Sequence, residues 1–158
     1  MFRHELKKSS GQAFVELALV FPVFLLLLVG AVEVGRLAYA SIEVSNAARA
    51  GVAYGAQSTT TASDINNIRL AATQDAPNLT GMTAVATQAC SCESAGGAIT
   101  PFSSCSITIT NLATCPNPSR IIQYVQVQTT ASVPTLFHFP GIASTVTLRG
   151  QALMRVEQ

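Results

Sequence analysis

Glu16 is the one carboxylate inside an otherwise apolar run that extends from Ala13 to Val32, and the run is preceded by Lys7, Lys8, Gly11 and Gln12. A carboxylate in hydrocarbon costs at least about 2.5 to 3.5 kcal/mol on insertion scales, so Glu16 calls for a partner. Cleavage of the Gly11–Gln12 peptide bond would create one. The new α-ammonium of Gln12 would lie one helical turn from the Glu16 carboxylate, and each could neutralise its counterpart on a neighbouring subunit. Residues 13–32 make about 30 Å of helix, which matches a bilayer core and leaves Glu16 near its cytoplasmic edge.

Gly11 and Glu16 at this spacing, behind lysines and ahead of an apolar run, resemble the class III leaders of type IV pilin-like proteins, which a prepilin peptidase cuts on the cytoplasmic side. Gly11-Gln12-Ala13-Phe14-Val15-Glu16-Leu17, followed by Gly35-Arg36 and Ala47-Ala48-Arg49-Ala50-Gly51, looks like the TadE-like family of pseudopilins from the tight-adherence (Flp) pilus system. Val146-Thr147-Leu148 through Ala152-Leu153-Met154-Arg155 resembles that family's C-terminal end. The resemblance covers about the first third of the chain and, loosely, its tail. It implies a minor pilin-like subunit whose partners are the membrane, the prepilin peptidase, other pilin-like subunits and the assembly machinery. Minor status follows from size, since the major pilins it resembles are much shorter and mainly helical.

Two other readings stand beside this one. The run could be an uncleaved signal anchor that holds an envelope or surface binding protein in the membrane. Alternatively Ala38-Tyr39-Ala40 forms an A-x-A-like site at which signal peptidase would release a soluble protein beginning at Ser41. Glu33 and Arg36 between run and site, and Pro22 within the run, weigh against that reading. In all three, Arg3, Lys7 and Lys8 keep the amino end in the cytoplasm, so the expected location is the bacterial inner membrane with a single pass and the C-terminal part outside.

The residues beyond the span must position it. Residues 33–56 lack proline and are rich in alanine, and Leu37, Ser41, Val44 and Ala48 recur at near-helical spacing, so one helix is expected over 12–56. Ala38, Ala40, Ala47, Ala48, Ala50 and Gly51 would allow close approach of another helix or of the chain's own sheet. Pro22 is expected to kink or loosen the helix. Residues 1–11 form the cytoplasmic leader, the Ser/Thr-rich stretch 57–63 a linker, and 64–158 an exported domain. Ser63 or Asp64 caps a short helix with Ile65, Ile68 and Ala72 on one face, ended by Ala76-Pro77.

From Thr80 the composition turns to Thr, Ser, Val, Ile and Gln with a period near two. Strands are expected over Met82–Cys90, Cys105–Leu112, Ile121–Ala131 and Thr145–Val156, with Gly150 marking a bulge in the last. The fold class is therefore α+β: a long pilin-like helix, a short helix, and a small antiparallel sheet stapled by disulfides. Cys90, Cys92, Cys105 and Cys115 all fall on the oxidising side, where two disulfides, each contributing on the order of 2 to 4 kcal/mol, are the expected use. Three pairings are open, although Cys90 and Cys92 would share one face of one strand. Zinc is the competing use, but C-x-C is not the usual knuckle spacing and no histidine accompanies it, so no metal or cofactor is expected.

The segment from Val133 to Ile142 is unusually apolar for a connection and is expected to cover one end of the sheet. With a net charge of +1 and few charges beyond Gln57, nucleic acid is not an expected partner. His4 and His138 lie near no nucleophile pattern, the acids are scattered and no phosphate loop occurs, so neither catalysis nor a small-molecule substrate is expected.

Overall fold

The computed structural model describes residues 10–93, 99–102, 121–137, 141 and 143–157, with side chains described for most of them. Contacts divide the chain into two units, Met1–Leu37 and Ala38–Gln158, and the first helix, α1 (Ser10–Gly55), contributes to both. The helix is assigned without interruption through Pro22.

In the first unit, large apolar side chains from Phe14 through Leu28 are exposed on every side of the helix. This is the one described helix long and apolar enough to cross a membrane.

In the second unit α1 is selective. Ala40, Val44, Ala47, Ala48, Gly51, Val52 and Gly55 are buried at helical spacing, so Val44 and Ala48 of the expected Leu37–Ser41–Val44–Ala48 row face the core, whereas Ser41 is exposed and Ala40 is buried in its place. After α1 the chain enters a short helix, α2 (Thr59–Ser63), built from the Ser/Thr stretch. Ser58 caps it reciprocally: its hydroxyl accepts from the Thr61 N–H at 3.1 Å, and its own N–H donates to Thr61 Oγ1 at 3.0 Å. Asp64 then caps α3 (Ile65–Gln74) by accepting from the Asn67 N–H at 3.2 Å. Ile68 and Ala72 point into the core and Ile65 packs at its margin.

Four antiparallel strands complete the unit: β1 (Thr83–Glu93), β2 (Ile99–Phe102), β3 (Ile121–Pro134) and β4 (Thr145–Arg155), in the spatial order β2-β1-β3-β4. Three strands are long. The short β2 pairs with β1 only from Cys90 to Glu93. The fold is thus α+β, as expected, with β2 an addition and β3 longer than expected. The expected strand at Cys105–Leu112 lies outside the described residues.

Alternation sorts the sheet into two faces. Ala84, Ala86 and Cys90 of β1, and Val125, Val127, Thr129, Ala131 and Val133 of β3, are buried on the face that receives the helices. Thr83, Val85, Gln128, Arg149 and Gln151 lie exposed on the other. Ala48 and Val52 of α1 join Ala62, Ile68, Ala72, Ala84, Ala86, Val125, Val127 and Val156 in one core. The tail closes this unit, with the Val156 N–H donating to Gln123 O at 2.8 Å and the Glu157 N–H to Ala56 O at 2.9 Å.

Gly150 marks no bulge. The β3–β4 register runs unbroken from Tyr124↔Arg155 to Pro134↔Thr145, with Gly150 opposite Thr129. Its reason is close approach: a Cβ there would stand 2.5 Å from Val44 O of α1 and 2.7 Å from Thr129 Oγ1. The apolar segment beginning at Val133 also differs from a simple connection. Its first residues complete β3, with Val133 and Thr135 buried and Leu136 and Phe137 exposed, and the Thr135 N–H donates to Ser144 O at 2.9 Å. Residues 138–140 and 142 are outside the described set.

Candidate functional site

The chemistry-bearing residues near the amino end lie in the first turns of α1. Gly11 lies in the first turn, whereas Glu16 lies beyond it, outside the reach of the partial positive charge at a helix amino end. No heavy atom lies within 4 Å of where a Cβ on Gly11 would be. Glycine is also about 1 kcal/mol poorer than alanine in a helix, so this first turn is a weak one.

Gln12 and Glu16 are both exposed and already joined, since Gln12 Nε2 donates to Glu16 Oε1 at 3.2 Å. The four-residue spacing, about 6 Å of axial rise, stacks them on one face. The chain therefore gives this carboxylate a neutral amide partner. An α-ammonium at Gln12 would add a charge on the same turn. No lysine, arginine or histidine pairs with Glu16 among the described residues.

At the far end of the run Arg36 and Glu33 form an ion pair of 3.0 Å across one turn, with both side chains partly buried. It escaped the sequence reading, although opposite charges three residues apart on a helix were signal enough. The apolar segment is thus bracketed by Glu16 at one end and a compensated pair at the other.

The expected cysteine cluster is only partly in view. Cys90 faces the core at 1% exposure. Cys92 lies in β1 and pairs in register with Thr100 and Ile121, but its side chain, together with Cys105 and Cys115, lies outside the described set. No pairing is defined among the described side chains. His138 lies outside as well.

Comparison with known proteins bears on the helix. Residues 11–53 match the family model described as TadE-like protein, which agrees with the resemblance read from Gly11 to Gly51. No curated protein and no solved structure matches the chain.

Proposed function

We propose that this chain is a pilin-like structural subunit, a minor pseudopilin, of a tight-adherence pilus or related secretion apparatus. The observation that carries the proposal is a coincidence of position. The TadE-like match begins at Gly11, where an exposed apolar helix starts with a single carboxylate one turn further on, bonded to Gln12.

In this reading α1 holds the precursor in the inner membrane with Arg3, Lys7 and Lys8 on the cytoplasmic side and the second unit outside. A prepilin peptidase cuts between Gly11 and Gln12. The α-ammonium of Gln12 then pairs with Glu16 of an adjacent subunit, and the assembly machinery draws the helix into a fibre or priming complex. Two disulfides among Cys90, Cys92, Cys105 and Cys115 brace the exported sheet.

The N-terminal peptide of the mature protein, purified from its native membrane and identified by mass spectrometry, tests the reading. A start at Gln12 is expected. A start at Met1 would instead indicate a permanently anchored envelope protein, and a start at Ser41 a released soluble one. The charge argument has its own test. Glu16→Gln keeps a polar side chain that Gln12 can still bond, so insertion is expected to persist while incorporation into the assembly falls roughly tenfold, the effect of losing about 1.4 kcal/mol. Unchanged incorporation would remove the role given to Glu16.

A further inference from the structure

The outer edge of β4 is the least completed part of the sheet. β4 is the border strand, and among the described residues its hydrogen-bonded neighbour is β3 alone. The strand is eleven residues long, about 34 Å at the usual rise, with no proline within it and no slip in register. Alternate N–H and C=O groups along that length face outward, and of the devices that natural sheets use on such an edge (a short strand, a bulge, a covering segment or charged side chains) β4 shows the last, Arg149 and Arg155.

Side chains at this border are open on both faces. On the helix-bearing face Val146 and Leu148 are partly buried, Ala152 packs against the core, and Met154 is 44% exposed. On the opposite face Leu153 is 56% exposed. The outer face is exposed on the interior strand β1 as well, where Val85 is 58% exposed, so Met154, opposite fully buried Val125 of β3, is what marks the open border.

Charge decides what the neighbour must be. Arg149 and Arg155 are the charged residues of β4, they share the outer face, and neither has an ion pair among the described residues. Their cross-strand neighbours are uncharged: Thr130 faces Arg149, and Tyr124 faces Arg155. A depression of about 560 Å³ beside Arg149 is lined by Gln128, Thr130 and Gln151, a set of amide and hydroxyl groups suited to a carboxylate. The two arginines stand about 20 Å apart along the strand. A second copy of β4 would bring two more arginines to the same face and no acid, so it would leave Arg149 and Arg155 without a counter-charge.

We propose that β4 is an acceptor edge for an extended acidic segment of another protein, which adds as a fifth strand. Its carboxylates lie against Arg149 and Arg155, and its alternate apolar side chains continue the inner face beyond Leu148 and Met154. Main-chain hydrogen bonds supply affinity in this mode and side-chain alternation supplies selectivity. The inference is independent of how the amino end is processed.

The test uses the full chain in detergent micelles and a synthetic peptide alternating glutamate and valine, followed by fluorescence anisotropy and by NMR hydrogen exchange. Binding is expected to slow exchange at alternate β4 amides and to leave the β3 amides unchanged. A peptide alternating lysine and valine should bind at least tenfold more weakly. The double variant Arg149→Glu, Arg155→Glu, whose two sites are exposed and whose melting temperature checks its folding, should reverse that preference. Failure of the acidic peptide to bind, equal binding of the lysine peptide, or binding without slowed exchange in β4 would each overturn the proposal.

Discussion

The two stretches of α1 are both apolar, yet they are built for different surroundings. Between Phe14 and Leu28 the side chains are large and exposed on every side, so hydrophobicity shows no preferred direction. Between Ala40 and Gly55 the buried positions carry Ala, Val and Gly and recur every three or four residues, while Ile42, Asn46, Arg49 and Ala53 turn outward. A helix that is apolar all round is made for an apolar solvent or for neighbours on all sides, whereas a one-sided stripe is made for a single surface. Residue size separates the two as clearly as period does. Small residues in the second stretch let α1 approach the sheet until Val44 O accepts from Thr129 Oγ1 at 2.7 Å.

The largest expected effect comes from breaking that fit. Gly150→Ala would place a Cβ 2.5 Å from Val44 O, 2.9 Å from the Val44 carbonyl carbon and 2.7 Å from Thr129 Oγ1. Two of these are backbone atoms inside a helix, so relief requires moving α1 or β4 rather than rotating a side chain. A loss of about 3 kcal/mol is expected, read as a fall in melting temperature on the order of 10 °C by circular dichroism of the detergent-solubilised chain. A fall of only a degree or two would show that the helix yields easily at Val44.

A smaller effect isolates the polar part of the same contact. Thr129 is fully buried, and its hydroxyl donates to a helix carbonyl 85 residues away in sequence. Thr129→Val keeps the branched shape and removes the donor, so a loss of about 1 kcal/mol is expected in the same melting experiment. Equal stability of the variant would assign the contact to shape alone.

Period and composition made much of this fold legible. The long helix and three long strands followed from their periods. What stayed hidden depended on contacts distant in sequence. Gly150 carries the same one-letter signal whether it marks a bulge or a close approach, and only the position of Val44 separates them. Ser41 and Ala40 are both small, so the sequence could not fix which of them faced the sheet. β2 is short and contains Pro101, so it offered no alternation to read. The Ser/Thr stretch at 57–63 looked like connection because the reciprocal bonds of Ser58 and Thr61 replace the more familiar glutamate of a capping box. At the amino end Gly11, Gln12 and Glu16 stand out in the sequence because a lone acid in an apolar run has few explanations. The hydrogen bond already joining Gln12 to Glu16 was not anticipated.

The smallest expected effect lies in the other stretch and sharpens the comparison by its sign. Gly30 is also a helical glycine, but no heavy atom lies within 4 Å of where its Cβ would be. Gly30→Ala meets no obstacle within the chain and removes a residue that costs a helix about 0.5 to 1 kcal/mol relative to alanine. The melting temperature of the second unit should therefore stay unchanged, while the amides around residue 30 should exchange slightly more slowly in hydrogen-exchange measurements. If the solubilised chain behaves this way but the variant enters the native assembly less efficiently, the missing Cβ matters to a neighbouring molecule. Gly30 would then do between chains what Gly150 does within one.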